Sequence, residues 1–138
     1  MLNLTVGQTY NSDVIEKHFG LKNRGGIRYS RRWPNIKNLT VILSEGQAQD
    51  SIYPDRISKD VVLEYVGEGP SGDQKLQWGN RALTWGYLQR EPVRVLRRVR
   101  VGILEDMGQF RIDRVETRVH MDKSLRARGA FVFVMRKV

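Results

Sequence analysis

Apolar residues along this chain fall into short runs and alternating stretches, the pattern of a mainly β protein. The run Leu-Thr-Val-Ile-Leu at 39–43 is rich in β-branched residues and predicts a buried strand, and 60–65 predicts a second one. Apolar and polar residues alternate in two further stretches, 92–101 and 109–121, and 129–138 predicts a last strand. Many short strands of this kind predict a small, strongly curved sheet or barrel.

The alternation changes phase inside two of these stretches, and each change predicts a bulge. In 92–101 the break falls at Arg97, where a bulge or a paired buried arginine is expected, and in 109–121 it falls near Arg114. The residues predicted to face inward are Val93, Val95, Val99, Val101, Phe110, Ile112, Val115, Thr117, Val119 and Met121.

Helix signals occur twice. Residues 11–20 start with polar residues that can cap a helix and end at Gly20, which predicts one short helix. Its N-cap candidates are Asn11, Ser12 and Asp13. A second helix is predicted to begin with Asn80 as its N-cap and to be limited in length by Gly86.

The stretch 53–83 joins a Tyr-Pro-Asp turn, a strand ending at Tyr65, a glycine-rich turn and the loop that enters the second helix. Aromatic rings, the carboxylate of the Tyr-Pro-Asp turn and flexible glycine backbone therefore lie close together in an otherwise basic chain. This combination is typical of a pocket for a planar polar group, and a nucleobase is such a group. The alternative is that the rings are core aromatics.

Residues 21–38 carry a dense set of basic side chains around Gly25 and Gly26, and Pro34 interrupts any strand there. The segment is predicted to be a loop or a hairpin tip. A solvated basic loop is one interpretation. The density of positive charge favours another, a loop that faces DNA and can place an aromatic or arginine side chain in the duplex.

Composition limits the classes of function. A length of 138 residues fits one compact domain, and 24 Lys and Arg against 15 Asp and Glu give a net charge of +9. Nucleic acid, an anionic membrane surface and simple solubility all fit this charge, and the excess of arginine over lysine favours nucleic acid. No apolar run reaches the ~20 residues that span a bilayer, and the absence of cysteine fits a cytoplasmic protein.

No catalytic motif is recognisable. Glu64, the best candidate for a metal-binding carboxylate, has no lysine two residues later, and the histidines His18 and His120 are far apart. The glycine-rich turn at 67–72 precedes Asp-Gln rather than Lys-Ser or Lys-Thr, so it is not a phosphate-binding loop. We expect a binding domain without cofactor or metal rather than an enzyme.

Several motifs together resemble the SRA (SET- and RING-associated) domain of the PUA-like superfamily, which reads modified cytosine in DNA. The most specific are Asp-Gln-Lys-Leu at 73–76, Gly-Asn-Arg-Ala-Leu at 79–83 and Pro-Val-Arg-Val-Leu-Arg at 92–97. Weaker ones, in the same order as in that family, are Gly-Gly-Ile at 25–27, the strand at 39–43 and Tyr-Val-Gly-Glu-Gly at 65–69.

The resemblance covers nearly the whole chain and implies one SRA-like DNA-binding domain over residues 1–138. The implied fold is α+β, mainly β with short helices: a curved PUA/SRA-like β-barrel with two flanking helices.

The resemblance also implies a base pocket, because SRA domains flip the modified base out of the duplex. Tyr53 and Tyr65 match the family's two stacking tyrosines in position and in their spacing of twelve residues. Asp55 is the candidate acceptor for the cytosine amino group, although it lies one residue nearer to Tyr53 than in the eukaryotic pattern. Val66 and Gly67 complete the predicted pocket.

Compactness and the Tyr-Pro-Asp form resemble the bacterial SRA-like domains of modification-dependent restriction endonucleases. The loop 67–73 is much shorter than in eukaryotic readers of hemimethylated CpG and lacks their Asn-Lys-Arg finger. The implied partner is double-stranded DNA carrying 5-methylcytosine or 5-hydroxymethylcytosine, with a nuclease part elsewhere. Arg24 takes the place of the family's wedge. The residues predicted to contact DNA are Lys22, Arg24, Arg28, Arg31, Arg32, Trp33, Lys75 and Arg81.

Three alternatives remain open at this point. The same fold could read an unmodified DNA sequence without flipping a base, with arginines and Trp33 in the groove. It could be a PUA-type RNA-binding domain. It could also be a nuclease in its own right, which the absence of an assembled metal site disfavours.

Overall fold

The computed structural model describes residues 4–21, 25–44, 55–69 and 72–138. Lys22, Arg24 and Tyr53 lie outside these ranges, so their predicted roles stay predictions. In chain order the elements are β1 (Thr9–Asn11), α1 (Ser12–Phe19), β2 (Ile27–Ser30), β3 (Lys37–Ser44), β4 (Arg56–Ser58), β5 (Val62–Val66), α2 (Trp78–Gln89), β6 (Pro92–Arg100), β7 (Ile103–Met121) and β8 (Ala127–Lys137).

The strands form one eight-stranded sheet in the order β2-β3-β6-β7-β8-β5-β4, with β1 added beside β7. β3 and β6 are parallel, and the other neighbours are antiparallel. Over the part of the chain that the structure describes, the end strands β2 and β4 do not pair, so the sheet is not closed. The predicted mainly β class with two helices is confirmed, and the predicted barrel is an open sheet.

Local capping signals define α1 as predicted. The side chain of Asn11 accepts a hydrogen bond of 2.9 Å from the Asp13 backbone N–H. Gly20 ends the helix in the left-handed conformation (φ 65°), which glycine adopts without strain, and its N–H donates to the last carbonyls of the helix.

The two helices cover opposite faces of β3. Val41 belongs to the main core together with Leu83 of α2, whereas its neighbour Ile42 packs with Ile15 of α1. All four side chains are buried. Because successive side chains of a strand point to opposite faces, the helices must lie on either side of the sheet.

Gly86 does not limit α2, contrary to the prediction. It is a buried residue inside the helix, and a β-carbon there would stand 2.6 Å from Cδ2 of Leu39 on β3. The glycine therefore permits close approach of the helix to the sheet. The helix ends instead at Arg90, which adopts φ 56°.

The predicted inward face of β6 is correct only for its first half. The pairing register with β7 shifts between Val95 and Leu96, and Leu96 is fully buried as a result. Val99 and Val101, predicted to face inward, are exposed. Arg97 forms an ion pair of 2.9 Å with a glutamate of β7. A paired arginine was one of the two predictions for this position.

The predicted bulge near Arg114 is confirmed by a register shift between Ile112 and Arg114. The inward set beyond it is correct for Val115, which packs against the main core, and wrong for Thr117, Val119 and Met121, which are exposed. Pairing of β7 with β6 stops before this shift, so the outer half of β7 pairs only with β8.

Candidate functional site

The candidate pocket lies where β4 and β5 meet. These strands pair antiparallel with Arg56 opposite Glu64, which brings Asp55 beside Tyr65 and Val66. Asp55 Oδ1 accepts a hydrogen bond of 2.8 Å from the Val66 backbone N–H. Sequence analysis missed β4 because a strand of three residues carries no readable periodicity. The pairing of Asp55 with the end of β5 is thus a finding of the structure.

Asp55 is a half-buried acid with unusual titration. Burial raises the pKa of its carboxyl from an ordinary 3.8 to about 7, and the hydrogen bond from Val66 opposes part of that rise. No second donor from a described residue reaches this carboxyl. The group can therefore exchange hydrogen bonds with the polar edge of a ligand, and near neutral pH it exists in both protonation states.

Tyr65 is 4% exposed and packs in the main core, where it lies opposite Phe133 of β8. Its hydroxyl lies directly against Gly26, at the place where a β-carbon of residue 26 would stand. The carbonyl of Gly26 accepts a hydrogen bond of 2.7 Å from the Ile42 N–H. Close packing against the Tyr65 phenol thus requires a glycine at position 26. From the sequence, the Gly-Gly pair was explained only by the backbone freedom that a loop needs.

Glu68 ties three segments together, a role that sequence analysis did not find. Its carboxylate accepts hydrogen bonds from the backbone N–H groups of Ile27, at the start of β2, and Gly79, in the first turn of α2. A β-carbon at Gly79 would stand 2.6 Å from Oε2 of this carboxylate. Burial raises the pKa of Glu68 despite the two hydrogen bonds. The only sequence signal for this role of Glu68 was an acidic residue with a glycine on each side.

Asn80 holds the same loop. It was predicted to be the N-cap of α2, but the N-cap is Gln77. Asn80 is 2% exposed, and its Oδ1 accepts from the Glu68 N–H at 2.7 Å. Its Nδ2 donates to the carbonyls of Glu68 (2.9 Å) and Lys75 (3.0 Å). The prediction failed because a capping side chain bonds its own helix, whereas this one lies inside the first turn and points at a loop twelve residues earlier.

The Asp-Gln pair at 73–74 fixes the other end of that loop to β8. Gln74 Nε2 donates to the Gly67 carbonyl at 2.6 Å, and its Oε1 accepts from the Phe131 N–H at 2.8 Å. Asp73 Oδ1 accepts from the Gly129 N–H at 2.7 Å. The Asp-Gln pair therefore holds the loop beside the candidate pocket, while Lys75, the next residue, is exposed.

Arg28, predicted to contact DNA, is committed to contacts inside the protein. Its guanidinium forms an ion pair with Glu16 of α1, and its Nε donates to the Gly25 carbonyl at 2.9 Å. Only 12% of its side chain is exposed. This placement favours a role in holding α1 against β2.

The other basic candidates gather at the turn between β2 and β3 and on α2. Arg31 and Arg32 are exposed at the start of this turn and form no ion pair with a described residue. The Arg81 guanidinium of α2 lies over the Trp33 ring, 4.1 Å from its centroid, which is cation–π geometry. The turn, including Trp33, lines a cleft of about 890 Å³ that also reaches Trp85 of α2.

The structure thus brings the predicted residues together in two groups. Asp55, Tyr65, Val66 and Gly67 form the pocket group, and the basic and aromatic residues form a second group at the turn after β2. Within the described ranges, no three His, Asp or Glu side chains approach closely enough to hold a metal ion. The described helices include none that is long and apolar enough to cross a membrane.

Solved structures similar to this fold include SRA domains. The sulfur-binding and SRA domains of ScoMcrA, complexed with phosphorothioated DNA, match with a TM-score of 0.74 and 22% identity over 99% of this chain and 40% of that one. The SUVH5 SRA domain in complex with methylated CHH DNA matches with a TM-score of 0.75 and 22% identity, over 99% of this chain and 90% of that one. SUVH5 SRA bound to fully hydroxymethylated CG DNA matches with a TM-score of 0.73 and 21% identity.

The chain spans about 40% of the ScoMcrA chain in that complex and 25% of the ScoMcrA restriction endonuclease chain. No curated protein matches the sequence significantly. The model of the SRA domain of ScoMcrA-like proteins matches residues 6–138. The predicted relationship is therefore confirmed, and the chain belongs to the family of ScoMcrA-like SRA domains.

Proposed function

We propose that this SRA domain binds double-stranded DNA and holds a modified cytosine, 5-methyl or 5-hydroxymethyl, flipped out of the duplex. The observation that carries the proposal is the half-buried carboxyl of Asp55, fixed by the Val66 N–H beside Tyr65. The family relationship supports the coarser part, since related SRA domains are solved in complex with methylated, hydroxymethylated and phosphorothioated DNA.

The chemistry of an extruded cytosine fits the pocket group. The base exposes two aromatic faces and an amino group on its Watson–Crick edge, and it loses its stacking partners in the duplex. Stacking on an aromatic side chain is worth roughly 1 to 3 kcal/mol per base. In the proposal Tyr65 and Tyr53 are the walls, and Asp55 accepts a hydrogen bond from the cytosine amino group.

Tyr65 is buried, so the proposal requires one face of its ring to be uncovered when DNA binds. The described residues that follow β5 are held by hydrogen bonds. Glu68, Asn80 and Gln74 bind residues 67–69 to β2, α2 and β8, so these residues can keep their positions while a base enters. A site held in this way loses little conformational entropy on binding.

We further propose that the domain is the specificity module of a modification-dependent restriction endonuclease, with the nuclease part elsewhere. Support comes from the family match and from ScoMcrA, which is described as a phosphorothioation-dependent restriction endonuclease. A net charge of +9 gives the chain the background affinity for DNA that such a module needs.

Competition among otherwise identical duplexes tests the proposal. The duplexes carry cytosine, 5-methylcytosine, 5-hydroxymethylcytosine, 6-methyladenine or a phosphorothioate linkage, and binding is measured at one fixed salt concentration. We expect the tightest binding to one of the two modified cytosines. Equal affinity for all duplexes would indicate a reader of unmodified DNA, and preference for structured RNA would indicate an RNA-binding domain; either result contradicts the proposal.

A further inference from the structure

The turn between β7 and β8, residues 122–126, is closed by several internal hydrogen bonds. Asp122 is 4% exposed, and its Oδ1 accepts from the backbone N–H groups of Ser124 (2.8 Å) and Arg126 (3.0 Å). The Asp122 N–H donates to the Arg126 carbonyl, and the Leu125 N–H donates to the Asp122 carbonyl. These contacts define one conformation for the turn.

The tip of this turn presents an apolar side chain between two cations. Leu125 is 79% exposed, and its φ of 61° lies in the left-handed region that disfavours any residue with a β-carbon. Lys123 and Arg126 are exposed and form no ion pair with a described residue. Neither packing nor backbone geometry explains a leucine here. Such an outlier is a reason to look for a function.

The turn is also tied to the frame of the pocket. Asp122 Oδ2 accepts from the Gly72 N–H at 2.9 Å. Arg128 is 3% exposed, and its Nη1 donates to the carbonyls of Gly69 and Gly72. Gly69 and Gly72, in the loop that follows Gly67, are therefore hydrogen-bonded to the β7–β8 hairpin.

The distance along β8 suits a single duplex. Val132 of β8 pairs with Val66 at the pocket, and Arg126 precedes Val132 by six residues. At about 3.3 Å per residue the tip lies roughly 20 Å from the pocket along the strand. If β8 lies along the duplex axis, with one base pair per ~3.4 Å, this corresponds to roughly six base pairs of DNA.

We propose that the β7–β8 turn is a second DNA contact, in which Leu125 wedges into a groove while Lys123 and Arg126 contact phosphates on either side. Apolar side chains on basic elements enter grooves and unstack base steps in this way. The inference rests on the proposed function, because it assumes that the partner is duplex DNA, and it adds a contact site about six base pairs from the flipped nucleotide.

Leu125→Gly tests this directly. Glycine adopts a φ of 61° without strain, so the variant removes the side chain and keeps the turn. Val101→Ala, at the exposed turn after β6, is the matched control. We expect Leu125→Gly to weaken duplex binding about tenfold, the effect of burying one leucine, and the control to bind as wild type. Lys123→Ala and Arg126→Ala should each lower the salt dependence of binding.

A duplex with 2-aminopurine at successive positions locates the wedge. Wild-type protein should raise the fluorescence at one step about six base pairs from the modified cytosine, and Leu125→Gly should abolish that rise while keeping the preference for modified DNA. Unchanged duplex affinity and unchanged fluorescence in Leu125→Gly would overturn the inference. It would also be overturned if the substitution impaired binding of a protein partner but not of DNA. If the wild type shows no preference for modified DNA, this would instead contradict the proposed function.

Discussion

The Tyr65 hydroxyl occupies the space in which a β-carbon of residue 26 would stand, so the strand that leads to the pocket and the turn before β2 are fitted to each other. Cζ of the same ring is 3.5 Å from that position, which is ordinary van der Waals contact. The conflict that an added β-carbon would face at position 26 is therefore with the hydroxyl oxygen alone.

Gly26→Ala should lower the free energy of unfolding by about 1 to 3 kcal/mol, because the ring or the turn must move to admit the methyl group. Tyr65→Phe in the same chain should recover part of the loss, since it removes the conflicting atom. Chemical denaturation of the two single variants and the double variant measures this coupling. Additive effects of the two substitutions would show that the hydroxyl and residue 26 do not meet.

Sequence analysis predicted elements whose signals are local. The first helix follows from its capping residue Asn11 and from Gly20, and the strand at 39–43 follows from an apolar run. The assignment of Asn80 failed because its partner Glu68 lies on another segment, and no spacing rule identifies such a pair. The ion pair between Arg28 and Glu16 was likewise not predictable from the sequence, since only the fold brings the two together.

The candidate pocket was likewise predictable from the sequence only in part. Tyr65 and Asp55 came from a resemblance, and the structure adds the contact between Asp55 and Val66 that the chain order does not contain. β-Strand alternation predicted buried residues correctly only where another layer covers the strand. Met121 alternates like a core residue and is exposed, because the outer half of β7 lies beyond that layer.

Asn80→Ala should destabilise the domain by about 2 to 4 kcal/mol, because it leaves the backbone N–H and C=O of Glu68 and the Lys75 carbonyl without their partner. Thermal or urea unfolding measures the loss. Gln89→Ala, at an exposed position of the same helix, is the control and should change stability little. Equal stabilities of the two variants would contradict the role assigned to Asn80.

The contribution of Asp55 to stability should fall as the pH rises from about 4 to about 7, because its carboxyl binds a proton more tightly in the folded state than in the unfolded chain. Its contribution is fully present below pH 3.8 and is lost as the pH passes about 7, with a total of at most about 4 kcal/mol. Asp55→Asn should remove this component from urea midpoints measured across the range. The control is Asp60→Asn, at an exposed carboxyl. If wild type and Asp55→Asn show the same pH profile, the acid is not held as described.

Arg32 and Arg28 should differ in what their loss changes. Arg32→Ala should lower the slope of log affinity against log salt by about 0.9 if its exposed side chain neutralises one phosphate. Arg28→Ala should leave that slope unchanged and lower stability by about 1 to 2 kcal/mol, since it breaks the pair with Glu16 and the bond to Gly25. Salt titrations of DNA binding and denaturation of both variants make the comparison. A changed salt slope in Arg28→Ala and a changed stability in Arg32→Ala would contradict the roles assigned to the two arginines.

The central claim is that Asp55 reads the modified base, and the ratio of dissociation constants for unmodified and modified duplexes tests it most directly. The wild type should give a ratio well above one for a modified cytosine. Asp55→Ala should bring the ratio close to one while the affinity for unmodified duplex stays the same, since that background binding is electrostatic. Asp60→Ala should keep the wild-type ratio. A ratio of one in the wild type, or an undiminished ratio in Asp55→Ala, would contradict the claim.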